Sequence, residues 1–278
     1  MNCIYDHVRI KPDRQIGPHS QSSFELSYIV TGSGTRTLGP DSQPFGSGEA
    51  VLVPPGMRHG WQFDENDTDR GGCIENITFH FKPALAEGLA QMFPELKEPM
   101  IRLLGTNEAL LYKGAQREKI ARLLIEMEGR EGFGRARAVL SLLEALAPEE
   151  TTARLCTRGS TGIQKRLEKV RIYVACNYMR KLHLDDVAAY VGMNRSAFCT
   201  FFRKETGRTF IAYLNEYRVQ KAREMLCGDD APPVCEVAAA CGFESAAHFS
   251  RTFKAITGVT PKLVAGKCGL TACRTLRH

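Results

Sequence analysis

The sequence VAAACGF at Val237–Phe243 decides the fold of the C-terminal half, because it echoes VAAYVGM at Val187–Met193. A second pair follows in the same order, with FCTFFRK at Phe198–Lys204 and FSRTFKA at Phe249–Ala255. The offset between the copies is 50 residues at the first pair and 51 at the second, so the second copy holds one extra residue in its turn. Self-similarity of this kind indicates a duplicated structural unit.

Each copy predicts a helix, a tight turn and a second helix. Gly192 and Gly242 provide the positive φ that a short turn between two helices needs. Asn194 and Ser245 follow as favourable N-caps of the second helices. Residues 209–227 form one amphipathic pattern, which predicts a single helix joining the two copies.

The second helix of each copy predicts one buried and one exposed side. The buried side is predicted to hold Phe198, Phe201 and Phe202 in the first copy, and Phe249, Phe253 and Ile256 in the second. The exposed side is predicted to hold Arg195, Ser196, Cys199, Thr200 and Arg203, and then Ala246, Ala247, Ser250, Arg251 and Lys254. Small and polar side chains followed by basic ones suit a helix laid in the major groove of DNA. A helical array whose repeat serves packing alone is the alternative.

Residues 171–262 resemble the AraC/XylS family of bacterial transcription regulators. The segments VAAACGFES at 237–245, HFSRTFK at 248–254 and GVTP at 258–261 are similar to its signature. The resemblance implies two recognition helices in successive major grooves, roughly 34 Å apart. It implies DNA contacts from Ser196, Cys199 and Thr200, and from Ala246, Ala247, His248 and Arg251. Lys204, beside Arg203, completes the predicted DNA-binding set. After Pro261 the sequence KLVA departs from the Tyr-Arg pair of many family members.

Charge is divided unevenly along the 278 residues. Residues 160–278 hold 19 Lys+Arg against 10 Asp+Glu, whereas residues 1–159 hold 18 against 21. A basic half beside a mildly acidic one is typical of a protein in which one domain meets phosphate. The ten cysteines form no Cys-x-x-Cys pair and have no zinc-finger spacing, so a zinc finger is not predicted. Their scattered positions predict that the protein works in the reducing cytoplasm. Neither a signal peptide nor a membrane span is predicted.

The N-terminal half has the pattern of a small β-barrel. Phe24–Thr31, Ala50–Val53 and Ile74–Phe81 are short runs rich in β-branched and aromatic residues, separated by turns that contain Gly and Pro. After Pro83 the period becomes helical, and apolar positions at 120–127 and 139–146 predict a helical hairpin.

The sequence GEAVLVPPGMRH at 48–59 resembles the second motif of the cupin barrel fold. The first motif is incomplete, because His19 and Glu25 fall at matching positions while Gln21 replaces the second histidine. Such a barrel before this DNA-binding domain resembles the sugar-sensing branch of the family. His19, Glu25 and His59 would make a three-ligand metal site, but the missing histidine favours a barrel without metal or other cofactor.

The barrel is instead predicted to bind a small molecule, with a sugar as one candidate. Alternation in Ile74–Phe81 puts Asn76, Thr78 and His80 on one face. Trp61 is the single tryptophan, and an aromatic ring among convergent polar groups suits a sugar, although ordinary packing would also explain it. The family resemblance also places Trp61, Asn76 and Thr78 near pocket positions. The predicted effector-binding residues are His19, Glu25, His59, Trp61, Asn76, Thr78 and His80.

Together these patterns predict an α+β multidomain protein with a cupin-like barrel, a helical hairpin and an all-α domain with two helix-turn-helix units. The predicted bounds are 1–85 for the barrel, 86–147 for the hairpin, 148–162 for a linker, 163–266 for the DNA-binding domain and 267–278 for a tail.

The predicted function is a cytoplasmic, ligand-controlled transcription factor, with activation the commoner case in the family. The predicted partners are double-stranded DNA, a small-molecule effector, a second copy of the chain and RNA polymerase. No catalytic triad or phosphate loop is visible, so an enzyme is not predicted. The alternatives are a cupin metalloenzyme and a ligand-independent DNA-binding protein whose barrel is only a scaffold.

Overall fold

The computed structural model describes residues 3–15, 17–148, 152–157, 162–227 and 231–267. The chain divides into an N-terminal unit of residues 1–161 and a C-terminal unit of residues 162–278. The first is rich in strands and the second is helical, which confirms the predicted α+β multidomain class. Within the described ranges, no helix is both long and apolar enough to cross a membrane.

The N-terminal unit consists of two facing sheets with helices that follow them. Its described strands are β1 (Cys3–Ile10), β2 (Phe24–Thr31), β3 (Gly34–Leu38), β4 (Asp41–Phe45), β5 (Ala50–Val53), β6 (His59–Phe63), β7 (Ile74–Phe81), β8 (Glu108–Tyr112) and β9 (Ala153–Thr157). The large sheet has the order β1-β7-β2-β5-β8-β9, and the small sheet has the order β4-β3-β6. β2, β5 and β7 have the bounds that the sequence predicts, because their β-branched and aromatic runs end at turn residues.

The register of the large sheet places polar side chains inside the barrel. Glu25 pairs with His80, Ser27 pairs with Thr78, and Ile29 pairs with Asn76. Residues that oppose each other across a ladder lie on the same face, so the polar residues of β2 and β7 share one face. The alternating residues of β7, such as Phe79, are buried on the other face.

Helices α1 (Pro83–Met92) and α2 (Lys97–Leu104) precede β8, and α3 (Gly114–Met127) and α4 (Gly132–Leu146) form the helical hairpin. The predicted bounds of this region are corrected in two places. β8 lies inside the predicted hairpin segment 86–147 but pairs with β5, so the sheet continues beyond residue 85. β9 lies inside the predicted linker 148–162 but pairs with β8. Both are five-residue strands whose partners are distant in sequence, which leaves a weak local pattern.

The described helices of the C-terminal unit are α5 (Gly162–Asn177), α6 (Leu184–Tyr190), α7 (Arg195–Thr206), α8 (Phe210–Leu226), α9 (Val234–Ala240), α10 (Ala246–Thr257) and α11 (Pro261–Lys267). A single buried cluster joins α5 through α10, and it includes Val174, Phe198, Leu214, Val237 and Phe253. α11 continues past the KLVA departure from the family pattern, and most of the predicted tail, residues 268–278, lies outside the described residues.

Candidate functional site

The two predicted helix-turn-helix units are α6–α7 and α9–α10, joined by α8. Gly192 and Gly242 hold φ values of 72° and 78° in the two turns, as the turn requires. The predicted N-caps are confirmed, because the side chain of Asn194 accepts a hydrogen bond from the backbone N–H of Ala197. Ser245 accepts one in the same way from His248. Both second helices therefore begin where the sequence indicates.

The second helices bury aromatic residues on one side. Phe198 and Phe202 are buried in α7, and Phe249 and Phe253 are buried in α10. Phe201 is only partly buried. Ile256 is 43% exposed, so its predicted place in the buried stripe is wrong. It lies one residue before the end of α10, where the core no longer covers the helix.

The other side of each helix is open to solvent. In α7 the predicted DNA-binding residues are all exposed: Arg195, Ser196, Cys199, Thr200, Arg203 and Lys204. In α10 the exposed members are Ala246, Ala247, His248, Arg251 and Lys254, while Ser250 is partly buried. Arg195 also lies 3.4 Å from Asp185, a pairing between exposed groups that leaves its guanidinium accessible. The geometry thus gives each helix a face of suitable length and chemistry for a DNA groove.

In the barrel, three predicted effector histidines converge on one carboxylate oxygen of a fourth predicted residue, Glu25. Glu25 Oε2 lies 2.9 Å from His59 Nε2, 3.7 Å from His80 Nδ1 and 3.9 Å from His19 Nε2. The Gln21 amide donates to the same oxygen over 2.8 Å. Glu25 and His59 are 4% and 1% exposed, so this is a buried polar centre.

The tautomer of His59 is fixed by its second ring nitrogen. Nδ1 lies 2.8 Å from the carbonyl oxygen of Met57, which can only accept a hydrogen bond, so Nδ1 carries a proton. Nε2 then faces the Glu25 carboxylate either as part of an imidazolium ion or through a bound cation. His19 repeats the pattern more loosely, with Nδ1 3.4 Å from the carbonyl oxygen of Gly17. Histidines that bind metals are commonly oriented by such second contacts.

The pKa values of the central pair move in opposite directions. Burial alone would raise the pKa of Glu25, but the hydrogen bond and charge of His59, with the charges of His80 and His19, outweigh it and lower the pKa. Burial alone would lower the pKa of His59, but the Glu25 carboxylate outweighs it and raises the pKa. Both shifts favour a carboxylate beside an imidazolium ion.

The same residues fit a metal ion. One ligand atom from each of His19, Glu25 and His59 lies within 4.8 Å of the others. Two histidines and a carboxylate are a donor set typical of divalent transition metals. The sequence favours a barrel without metal because Gln21 replaces a histidine, yet the structure brings together the three ligands that the alternative needs.

The next layer of the barrel contains two more of the predicted residues, Trp61 and Thr78, and two that were not predicted, Ser27 and Arg36. Trp61 pairs with Arg36 across β6 and β3, and Ser27 pairs with Thr78 across β2 and β7. The sheets face each other in register here, because Glu25 contacts His59 on one side of the layer and Ile29 and Phe63 share a cluster on the other. We call Ser27, Arg36, Trp61 and Thr78 the middle layer.

Three polar atoms of the middle layer are buried without a hydrogen-bond partner: Ser27 Oγ, Arg36 Nε and Trp61 Nε1. Arg36 is 4% exposed and its Nη1 pairs with Glu49. Buried polar atoms are normally satisfied, because leaving one unpaired costs about 1–3 kcal/mol. The three atoms therefore lack the partners that buried polar atoms normally have. Asn76 lies one layer further along the same face, beside Ile29.

Comparison with known proteins identifies both regions. A cupin domain model matches residues 6–69, and a helix-turn-helix domain model matches residues 187–265. Regulatory protein PocR of Salmonella typhimurium is 31% identical over 115 residues, which are 41% of this chain and 38% of PocR. The chain thus spans well under half the length of that relative.

Other matches are more distant or shorter. HTH-type transcriptional activator RhaS of Klebsiella pneumoniae is 21% identical over 252 residues, which are 87% of this chain and 85% of RhaS. A solved transcriptional regulator with an AraC-type DNA-binding domain, from Chromobacterium violaceum, is 27% identical with a TM-score of 0.37. That match covers 41% of this chain and 100% of the solved one.

Proposed function

We propose that the chain is an AraC-type regulator, that is, a sequence-specific transcription regulator controlled by a small molecule, since helix-turn-helix and cupin domain models both match it. The observation that carries the proposal is the matched construction of α7 and α10. Each helix buries a phenylalanine pair and exposes a polar and basic face. Two such helices joined by one helix suit adjacent major grooves of double-stranded DNA.

Basic side chains supply affinity and the exposed faces supply sequence preference. Residues 160–278 hold 19 Lys+Arg against 10 Asp+Glu, which favours binding to phosphate. Arg251 is an exposed side chain of α10 with the reach and geometry for a guanine edge. The short side chains of Ser196, Cys199 and Thr200 allow α7 to approach the bases closely.

The effector is proposed to lie in the barrel, across the middle layer and the Glu25 centre. The unpaired atoms of Ser27, Arg36 and Trp61 need hydrogen-bond acceptors, and the hydroxyl of Ser27 also accepts. A small molecule with several hydroxyl or carbonyl oxygens and one apolar face matches this lining, and a sugar has that chemistry. His19, His80, Thr78 and Asn76 would extend the contacts along the same interior face.

Regulation is proposed to be a population shift between two arrangements of a homodimer. An effector that binds both arrangements equally would regulate nothing, so the barrel must differ in affinity between them. The α3–α4 hairpin is the proposed dimer interface. The protein is also proposed to act in the cytoplasm and to contact RNA polymerase. The protein would act without catalysing a reaction.

The test of DNA reading is selection of genomic DNA fragments by the purified full-length chain. Recovery of a shared sequence with two half-sites is expected. A double variant, Arg251→Ala with Lys254→Ala, should lose that enrichment, whereas the surface variant Arg130→Ala in the N-terminal unit should keep it. Enrichment equal for the wild type and the double variant would contradict the proposal.

The test of the effector site is a thermal-shift screen with sugars and related metabolites. Ser27→Ala removes a buried hydroxyl without a partner, so the ligand-free variant should be at least as stable as the wild type. The same variant should show a smaller ligand-induced shift. No stabilisation of the wild type by any such compound would favour the scaffold alternative.

The Glu25 centre supports a second candidate role, binding of a divalent transition-metal ion. The supporting observation is His59, whose Nδ1 donates to a carbonyl while Nε2 faces a carboxylate. His19, Glu25 and His59 would hold the ion, which would supply a Lewis acid for effector oxygen atoms. Elemental analysis of protein purified without chelator tests this: near-stoichiometric metal, lost in His59→Ala, is expected, and a metal-free wild type overturns it.

A further inference from the structure

Arg218, in the middle of α8, connects two loops that belong to different halves of the C-terminal unit. Its Nε donates to the carbonyl oxygen of Tyr178 over 2.9 Å. Its Nη2 donates to the carbonyl oxygen of Arg180 over 2.7 Å. These carbonyls lie between α5 and α6, directly before the first helix-turn-helix. The guanidinium also lies over the ring of Phe243, 5.7 Å from its centroid, in the turn of the second.

The turn at Gly242 packs directly against the same loop. A Cβ atom at Gly242 would collide with the carbonyl oxygen of Tyr178 and lie 2.9 Å from Nη2 of Arg218. One residue beyond Phe243, Glu244 pairs with Lys181 at 2.9 Å. We call Arg218, Gly242 and the carbonyls of Tyr178 and Arg180 the Arg218 brace.

The brace is a buried structure whose parts depend on one another. Arg218 is 8% exposed, and a buried guanidinium needs its donors satisfied. The two carbonyls accept from two of its five N–H donors, and the planar fork of the side chain fixes their relative position. Phe243 in turn contacts Phe249 of α10 at a ring distance of 5.1 Å. The brace therefore connects the loop before α6 with the first turns of the second recognition helix.

The equivalent turn of the first helix-turn-helix has no such support. Gly192 has nearly the same φ as Gly242, 72° against 78°. Nothing lies within 4 Å of a Cβ atom placed on Gly192. The repeat thus has two similar turns, of which the second approaches the other half of the domain so closely that a Cβ atom would not fit.

We infer that Arg218 is a positioning residue that fixes α10 relative to the first helix-turn-helix, and so sets how the two recognition helices engage DNA together. The inference rests on the proposed DNA binding. When two readers are held in the correct relative position, the second binding event is intramolecular and the joint affinity exceeds that of either reader. A loosened brace lowers this gain and leaves the faces of α7 and α10 unchanged.

The test compares three DNA fragments. One holds the two groove segments that α7 and α10 of one chain contact in the site recovered for the wild type, and the other two each have one of these segments scrambled. In this test, a half-site is the segment that one recognition helix contacts. Full-length Arg218→Met should bind the intact site about tenfold more weakly and each single half-site within about twofold of the wild type. Arg218→Lys keeps one charged donor group, so its affinity for the intact site should lie between those of the wild type and Arg218→Met. An equal loss on all three fragments, or no loss on the intact site, overturns the inference. Failure of the wild type to bind any fragment would instead overturn the proposed DNA binding.

A matched glycine pair makes the test independent of the folding of Arg218→Met. Gly242→Ala and Gly192→Ala place alanine at nearly the same positive φ, so both suffer the same backbone strain. Only Gly242→Ala also disturbs the brace. The ratio of intact-site to half-site affinity should fall in Gly242→Ala and stay at the wild-type value in Gly192→Ala. Equal ratios in the two variants contradict a positioning role.

Discussion

Replacing Glu25 by leucine is expected to destabilise the N-terminal unit strongly. Glu25 is 4% exposed, and its Oε2 is the partner of His59 and of the Gln21 amide. Leucine has a similar size but no acceptor, so the buried Nε2 of His59 loses its partner. The part-buried amide of Gln21 keeps only His80 Nδ1. Removing one member of a buried pair costs about 3–5 kcal/mol. At roughly 2–4 °C per kcal/mol for a unit of this size, Tm should fall by about 6–20 °C.

Glu25→Gln is the informative companion, because the tautomer of His59 decides its outcome. With Nδ1 donating to Met57, a neutral His59 presents an unprotonated Nε2 that a glutamine amide can satisfy. Above the ordinary histidine pKa of about 6.5 the neutral ring costs little, so Glu25→Gln should lose less than about 1.5 kcal/mol.

The assay is urea denaturation of chelator-treated protein at mildly alkaline pH, followed by circular dichroism. Glu144→Leu is the control, because Glu144 pairs with Lys119 on the surface of the same unit, with both side chains more than half exposed. That substitution should change stability by no more than about 0.5 kcal/mol. If Glu25→Gln costs as much as Glu25→Leu, the assignment of the His59 tautomer is refuted. If Glu25→Leu costs no more than Glu144→Leu, the buried pair is refuted.

Three further outcomes are expected. Burial alone would lower the pKa of His7, but Glu75 and Glu128 outweigh it and raise the pKa. The stability that His7 supplies is therefore complete below its ordinary pKa and is lost as pH rises through the raised value. His7→Gln should flatten the dependence of urea stability on pH across neutral pH, and an unchanged dependence contradicts this. Arg251→Ala should relax base preference at one position by about 1–3 kcal/mol in site-selection experiments, and an unchanged preference removes Arg251 from the readers. Trp61 is the single tryptophan, with Nε1 buried and unpaired, so its fluorescence should change on effector binding, and a constant spectrum at saturation places the effector elsewhere.

The elements predicted well are those whose signals are local. β2, β5 and β7 show a strand pattern within eight residues or fewer and end at turn residues. The duplicated helix-turn-helix was predictable down to its caps, because Asn194 and Ser245 act on backbone groups three residues away. β8 and β9 were missed because their evidence is a pairing partner far along the chain.

Arg36 shows why part of the effector site could not be predicted. In GTRTL at Gly34–Leu38, an arginine between two threonines has the appearance of a solvent-facing residue. Its burial depends on β6 and β4 lying on both sides of β3, and on the carboxylate of Glu49, thirteen residues away, which pairs with it. Periodicity indicates that Arg36 shares a face with Leu38, but it does not indicate that the face is inside.

The two turns of the repeat also show that the environment of a residue is not predictable from its own sequence. Gly192 and Gly242 occupy equivalent positions in the repeat, and the sequence predicts the same backbone conformation for both, a positive φ between two helices. The structure shows a second reason for glycine at position 242, because the backbone there lies too close to the Tyr178 carbonyl and Arg218 to leave room for a side chain. That difference arises from α8, because the arginine that fills the space beside the second turn has no counterpart beside the first. A repeat therefore predicts two readers of similar construction, and the helix between them decides which one is fixed in place.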